Sequence, residues 1–414
     1  MKNCSFSLNP LDLYHATQAC LFKLTPSIQW FKQQAIIKAQ LDDFGNTDEM
    51  NLIEQTFNYQ TELQTYDPSI CPIHYYARRE WFVRILTERL KIVHNLKLYP
   101  QIKKLEIRES LCIMGLPRTG TTLLYNLLAL DSTKWCYPKL YDCVAPSLPV
   151  ENSEQKQKDF DRIIEIFQQR IMPQMPSVHY FHSQEPEECI MLFFHMGLDL
   201  LSAVTGKDPV RLLNYLLDEN TFDYHLFYEY HRVLLQLLCY RKQRNNCLFK
   251  CPFHLLGLKS LVSVYPNCKI LMIHRDPLET VPSLASLMSI GSQTNYIDLN
   301  ESGRKALHVS GLLADLIVKN EQESDASSGN QFYHIQYKDL IQNPVETMKN
   351  LFSFYQFEYT SDYDQSLKYY LKQNPQHKHG QHKYSLEKYG LSKQEIQLRF
   401  YYYCKLFNIS NSES

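Results

Sequence analysis

One stretch, LCIMGLPRTGTTLLYNLLALD at residues 111–131, fixes more of this chain's architecture than any other. An apolar run leads into Gly115, Leu116, Pro117, Arg118, Thr119, Gly120, Thr121 and Thr122, and a helical apolar pattern with Leu123, Leu124, Leu127, Leu128 and Leu130 follows. A strand that turns through glycines into a helix N-terminus gathers backbone N–H groups at one point, where they hold an anion. The nucleotide-binding pattern GxxxxGK[ST] has its glycines and its hydroxyl here as Gly115, Gly120 and Thr122, but Thr121 stands where the lysine belongs. A γ-phosphate then lacks its principal fixed cation, so an ordinary ATPase or kinase is a poor reading. Arg118 brings positive charge from another direction.

Around this unit the chain reads as an α/β protein. Short apolar runs at 111–114, 247–249, 268–273 and 332–335 alternate with longer helical patterns, as a parallel sheet with crossover helices requires. Residues 1–105 carry helical patterning without a phosphate loop and are expected to be a helical N-terminal extension to an α/β domain over 106–414. Between the first two strands, 150–244 reads as a mainly helical insertion punctuated by Pro173, Pro176 and Pro186, suited to a substrate wall. The apolar window 190–205 is interrupted by His195 and Asp199 and falls short of the ~20 residues that cross a bilayer, so a buried helix is expected. The last helix is expected from Ser392, with Glu395 completing a capping box.

Two further segments carry chemistry. In CKILMIHRDPLETVPSLASL, at 268–287, Asp276, Pro277 and Glu279 are an N-cap, an N1 proline and an N3 acid, which put Arg275 at the strand's carboxyl edge. Ser283 lies close to two helical turns beyond Asp276, so it shares a face with the helix start, and an arginine with a hydroxyl suits a dianionic phosphate. The alternative is an arginine that only caps a sheet edge. His274-Arg275-Asp276 also spells a protein-kinase triplet, but Val281 stands where its asparagine is needed. In LFKCPFH, Lys250 ends a short strand and His254 follows a proline break; both are placed to face an anion at the sheet's carboxyl edge, or else are a surface charge and a structural histidine.

GLPRTGTTLL, FKCPFHLLGLKSLVSVYPNCKI, HRDPLETVPS and IQYKDLIQNP, in that order, resemble the sulfotransferases that use 3'-phosphoadenosine-5'-phosphosulfate, especially a bacterial branch related to the tyrosylprotein enzymes. DDFG at 42–45 also looks like that branch, so the resemblance spans most of the chain. It implies a P-loop-like three-layer fold with a central parallel sheet. It also implies that Arg118, Thr119, Gly120, Thr121 and Thr122 bind the 5'-phosphosulfate, that Arg275 and Ser283 bind the 3'-phosphate, and that Tyr337 lies near the adenine. Lys338 there replaces the family's usual acid. Lys250 matches the family lysine that neutralises the leaving phosphate. Asp142 falls where related enzymes carry a glutamate base, one methylene shorter, with His254 as the other candidate. The segment Lys378, His379 and Gly380 loosely resembles a basic loop that closes over the 3'-phosphate, and a plain solvated loop is the alternative.

Sulfuryl transfer resembles phosphoryl transfer in building charge on a leaving phosphate, so fixed cations matter most and no metal is expected. His377, His379 and His382 are flanked by Lys378 and Lys383, which disfavour a cation. Glu185, Glu187 and Glu188 surround Pro186 and invite a paired-carboxylate reading, but acids flanking a proline are also what a helix start needs, and capping is the expectation. With 43 Lys plus Arg against 44 Asp plus Glu, no global field draws the chain to nucleic acid. Twelve scattered cysteines, several in apolar runs, together with a first segment lacking an apolar signal stretch, point to a reducing, cytoplasmic setting. The acceptor, a small molecule, lipid, glycan or peptide, is not legible, nor is the oligomeric state. The rival functions are a small-molecule kinase with an altered loop and a catalytically silent nucleotide-binding protein of the same fold.

Overall fold

The computed structural model describes residues 26–63, 72–148, 153–166, 168–169, 181–200, 208–218, 220–291, 298–323, 332–375 and 385–409. The four expected strands form one sheet: β1 (Glu109–Gly115), β2 (Asn246–Lys250), β3 (Cys268–His274) and β4 (Phe332–Gln336). All pairings are parallel and the spatial order is β2-β1-β3-β4. Each strand extends the apolar run by a residue or two, because backbone pairing continues past the side chains that announce it.

Helices cover both faces, and β1 shows why its sequence is apolar throughout. Cys112 and Met114 enter the larger core, while Leu111 and Ile113 enter a second core beneath the loop helix Thr121–Ala129, with Leu124, Leu127 and Leu128. The chain leaves β1 for β2 on one side and reaches β3 on the other. The crevice above β1 is thus the switch point where α/β sheets bind ligands. The register sets Ile113 opposite Lys250 and Gly115 opposite Ile273, so loop, lysine and the end of β3 share one edge.

The prologue is helical at Ile28–Ala39, Thr47–Leu63 and Pro72–Leu98, and Phe31, Phe57, Leu86 and Leu90 form a core of their own. Within the window at 190–205, of which 201–205 lie outside the described residues, the described part departs from the expected continuous helix. One α-turn, Ile190–Phe193, passes into a 3-10 turn, Phe194–Met196, and stops at Gly197 with φ 74°. Gln60 of the prologue completes the interrupted backbone: its Nε2 donates to the Gly197 carbonyl at 2.6 Å, and its Oε1 accepts from Asp199 N–H at 2.8 Å. The broken end is satisfied by a side chain rather than by another helical turn. Among the described residues, no helix is long and apolar enough to cross a membrane.

Candidate active site

The loop between β1 and the helix Thr121–Ala129 is built on residues with positive φ. Gly120 has φ 95°, and a Cβ there would meet the Tyr337 ring at 2.6 Å; at Gly115, φ 151°, it would meet the Ile273 carbonyl oxygen at 2.6 Å. Both positions therefore require glycine, one for ring packing and one for close strand approach. Arg118, with φ 72°, is in the left-handed region without being glycine, a strained conformation of the kind found where a backbone is shaped for a ligand. Thr119 Oγ1 donates to the Leu116 carbonyl at 2.7 Å and locks the turn. Thr121 and Thr122 open the helix, where N–H groups lacking intrahelical acceptors carry partial positive charge.

At one end of the loop, Arg118 Nε donates to Ser283 Oγ at 3.1 Å, and Arg275 Nη1 donates to the Arg118 carbonyl at 3.2 Å. The Arg275 guanidinium lies 4.2 Å from the centre of the Tyr337 ring. Asp276 caps the helix Pro277–Gly291 as its sequence indicates, its Oδ1 accepting from Leu278 N–H at 2.9 Å. Glu279 also turns back and takes Arg275 Nε at 3.0 Å. Arg118, Arg275, Ser283 and Tyr337 thus form one cluster from three segments of the chain.

At the other end stands Lys250, 1% exposed. Its Nζ donates to Thr122 Oγ1 at 3.3 Å, bonds the Glu188 carboxylate and lies 5.8 Å from the Tyr125 ring centre. The lysine absent from position 121 is thereby supplied by the neighbouring strand. Glu188, one of the acids around Pro186, stands at this end of the loop with its carboxylate on Lys250. Instead of serving only a helix start, the segment around it lies across the end of β2, where Cys189 N–H donates to the Lys250 carbonyl at 2.9 Å and Glu187 N–H to the Pro138 carbonyl at 3.0 Å. A buried ammonium needs a counter-charge, and Glu188 is the carboxylate that meets Lys250.

Asp142 and His254 are engaged elsewhere. The Asp142 carboxylate is bound by Arg241 and, at 3.0 Å, by Lys242, and it accepts from the Lys139 N–H at 3.1 Å. Two cations and a backbone N–H thus hold this carboxylate in place. His254 is fully buried, its Nδ1 3.0 Å from Tyr228 Oη, and burial lowers its affinity for a proton well below the usual imidazole range. A ring so enclosed and so weakly basic is a poor proton acceptor for an incoming substrate. Lys378, His379 and Gly380, with His377 and His382, lie outside the described residues.

Comparison with known proteins comes to the same region. The sequence model of the sulfotransferase family matches residues 110–361. The omega-hydroxy-beta-dihydromenaquinone-9 sulfotransferases Stf3 of Mycobacterium tuberculosis (strain CDC 1551 / Oshkosh) and Mycobacterium bovis (strain ATCC BAA-935 / AF2122/97) are each 26% identical over 245 residues, 58% of this chain. That match spans 61% of the length of those curated relatives. In fold, the chain is similar to the crystal structure of sulfotransferase STF1 from Mycobacterium tuberculosis H37Rv, with a TM-score of 0.76 and 21% identity over 91% of this chain and 98% of that one. It is also similar to STF9 from Mycobacterium avium, with a TM-score of 0.79 and 21% identity over 93% of this chain and 98% of the other.

Proposed function

The chain belongs to the sulfotransferase family, and on that premise we propose that it is an enzyme that moves a sulfuryl group from 3'-phosphoadenosine-5'-phosphosulfate to a hydroxyl or amine acceptor by in-line displacement. The observation that carries the reading is Lys250 beside Thr122, a cation brought to a phosphate loop that has none at the usual position. When bound, the nucleotide supplies an activated sulfuryl group whose leaving phosphate gathers negative charge. The residues present fit it: a strained, N–H-rich loop at 115–122 suits the 5' side, and Arg275 with Ser283 suits a phosphate on the 3' side.

In this reading Arg118, Thr119, Gly120, Thr121 and Thr122 bind the phosphosulfate and Tyr337 flanks the adenine. Lys250 neutralises the growing charge, a role in which one well-aimed donor is worth about a hundredfold to a thousandfold in rate. Glu188 accepts the acceptor's proton at its carboxylate. Its contact with Lys250 supports this role, since it sets the base within one side chain of the phosphate loop. A phosphosulfate drawing Lys250 toward itself releases the carboxylate for that task.

For the acceptor, a lipid alcohol is the first candidate, because the curated relatives are named for a hydroxylated menaquinone. Buried thiols such as Cys112 and Cys189, which form no disulfide, support work in a reducing compartment such as the cytoplasm.

The test is a pair of measurements on the whole chain. Adenosine 3',5'-bisphosphate is expected to raise Tm clearly more than ATP with magnesium does, because only a ligand specific for the native state stabilises it by mass action. Label from sulfur-35 donor is expected to appear on at least one alcohol or amine of a broad panel. A preference for ATP with magnesium would overturn the reading, and bisphosphate binding without any transfer would identify a silent nucleotide-binding protein.

A further inference from the structure

Around Cys189, which follows Glu188 in the chain, three buried ligand atoms converge. Cys189, His231 and His254 each place one such atom so that all lie within 4.8 Å of one another. They come from three separate elements: the segment ahead of Ile190–Phe193, the helix Tyr224–Lys242 and the 3-10 turn Pro252–Gly257. Each imidazole spends its Nδ1 on a tyrosine, His254 on Tyr228 Oη at 3.0 Å and His231 on Tyr265 Oη at 2.9 Å. The Nε2 atoms of both are buried and, among the described residues, have no hydrogen-bond partner. Phe193 and Phe249 pack their rings against both imidazoles, so the surroundings are dry.

Ordinary core histidines satisfy both nitrogens, and an unsatisfied buried polar atom in a native structure calls for a reason. Here two such atoms and a thiol share one reason. We propose that Cys189, His231 and His254 bind one soft closed-shell metal ion, Cu(I), in a three-coordinate structural site. In the tautomer that metal binding requires, each Nδ1–H donates to Tyr228 Oη or Tyr265 Oη and each Nε2 lone pair is left for the ion, the arrangement by which outer groups fix metal-ligating histidines.

The choice of ion follows from charge and ligand count. A thiolate, two neutral imidazoles and a monovalent cation sum to zero, which a dry aromatic shell tolerates; a divalent ion leaves a net charge there and wants a fourth ligand. Binding exchanges the thiol proton for the metal: Cu(I) forms the bond to Cys189 Sγ, the S–H bond breaks and the proton leaves to solvent, with no change of oxidation state. Bond lengths of about 2.0–2.3 Å to a common ion draw the three atoms closer than they stand without it. The ion would tie together the elements that carry Glu188 and Lys250, since Cys189 N–H already holds the Lys250 carbonyl at 2.9 Å.

The test reads metal, not sulfuryl transfer, so it stands apart from the proposed activity. The full chain, kept anaerobic and reduced, is titrated with Cu(I) against a chromophoric Cu(I) chelator, and separately with Zn(II) against a zinc indicator, with bound metal counted by mass spectrometry. One equivalent of Cu(I) is expected, with a thiolate-to-copper absorption in the ultraviolet and a raised Tm. Cys189→Ser and His231→Gln should each weaken binding by about a hundredfold or more, and the milder Tyr265→Phe by about tenfold to a hundredfold, which covers the case of a ligand variant that does not fold. Cys247→Ser, in the nearby pair whose sulfurs lie 3.3 Å apart, should retain the ion. No stoichiometric copper, tighter binding of Zn(II), or loss of copper in Cys247→Ser with retention in Cys189→Ser would each overturn the assignment.

Discussion

Arg275 and Glu279 stand one helical turn apart, and the guanidinium donates from Nε at 3.0 Å and from Nη2 at 2.5 Å to the same carboxylate oxygen. The cation assigned to a 3'-phosphate is therefore held by a half-exposed acid in the first turn of the helix that follows it. A phosphate must displace or share that partner. Glu279→Gln is expected to tighten adenosine 3',5'-bisphosphate binding about two- to fivefold, the scale of an exposed ion pair. Calorimetric titration checks this, and unchanged or weaker binding speaks against competition for Arg275. Arg275→Ala, by contrast, should raise the donor KM with less effect on kcat.

Lys250→Ala is expected to lower kcat by about a hundredfold to a thousandfold, because the variant loses the donor that meets charge developing on the leaving phosphate. Nucleotide binding should persist through the loop and Arg275, so the bisphosphate should still raise Tm. A variant that turns over at the normal rate would remove lysine from the mechanism.

The two carboxylates separate by assay. Glu188→Gln should lower kcat by about a hundredfold to ten-thousandfold while the fold stays intact. Asp142→Asn should act on stability instead, costing about 2–3 kcal/mol, somewhat below the loss for a fully buried ion pair because Arg241 and Lys242 keep some exposure. Urea denaturation and steady-state kinetics on both variants decide it; the reverse pattern would return the base to Asp142.

His274 gives a pH dependence. It is buried, with Nε2 2.9 Å from His334 Nδ1 and Nδ1 2.9 Å from Tyr403 Oη, and Glu321 lies 3.3 Å beyond His334. Burial, aided by the charge of His334, lowers its pKa to about 3. In the unfolded chain it titrates near the ordinary ~6.5, so below that pH the unfolded state binds the extra proton. Its contribution is complete above about 6.5, falls by about 1.4 kcal/mol per pH unit as acid is added, and stops falling near the folded value. Between pH 7.5 and 5, the wild type should lose about 2 kcal/mol more than His274→Gln in urea unfolding. Equal losses would show that the ring is not kept neutral by its site.

What could be read from the sequence was local. Asp276 capping, the glycines of the phosphate loop, the Ser392 cap accepting from Glu395 N–H at 3.1 Å and the four strands all depend on neighbours a few residues apart. The pairings that could not be read depend on distant partners. Glu188 meets Lys250 across 62 positions and Asp142 meets Arg241 across 99, with proline-broken chain between, so neither pairing leaves a periodic trace. Charge bookkeeping is the signal that was present: a lysine at the end of an apolar strand implies an acid somewhere, and the acids around Pro186 offered a carboxylate pair as well as a helix cap. Gln60, which closes the broken turn at Gly197 from 137 residues away, had no comparable signal.

The pairing of Ile113 with Lys250 and of Gly115 with Ile273 means that the rungs of the sheet, not the surface helices, set how far the anion cradle stands from its cation. Mutations between β1 and β2, outside the loop at 115–122 and the segment around Glu188, are free to reshape what approaches from outside without detuning that spacing. Descendants of such a scaffold can exchange one acceptor for another while inheriting the same chemistry at the donor.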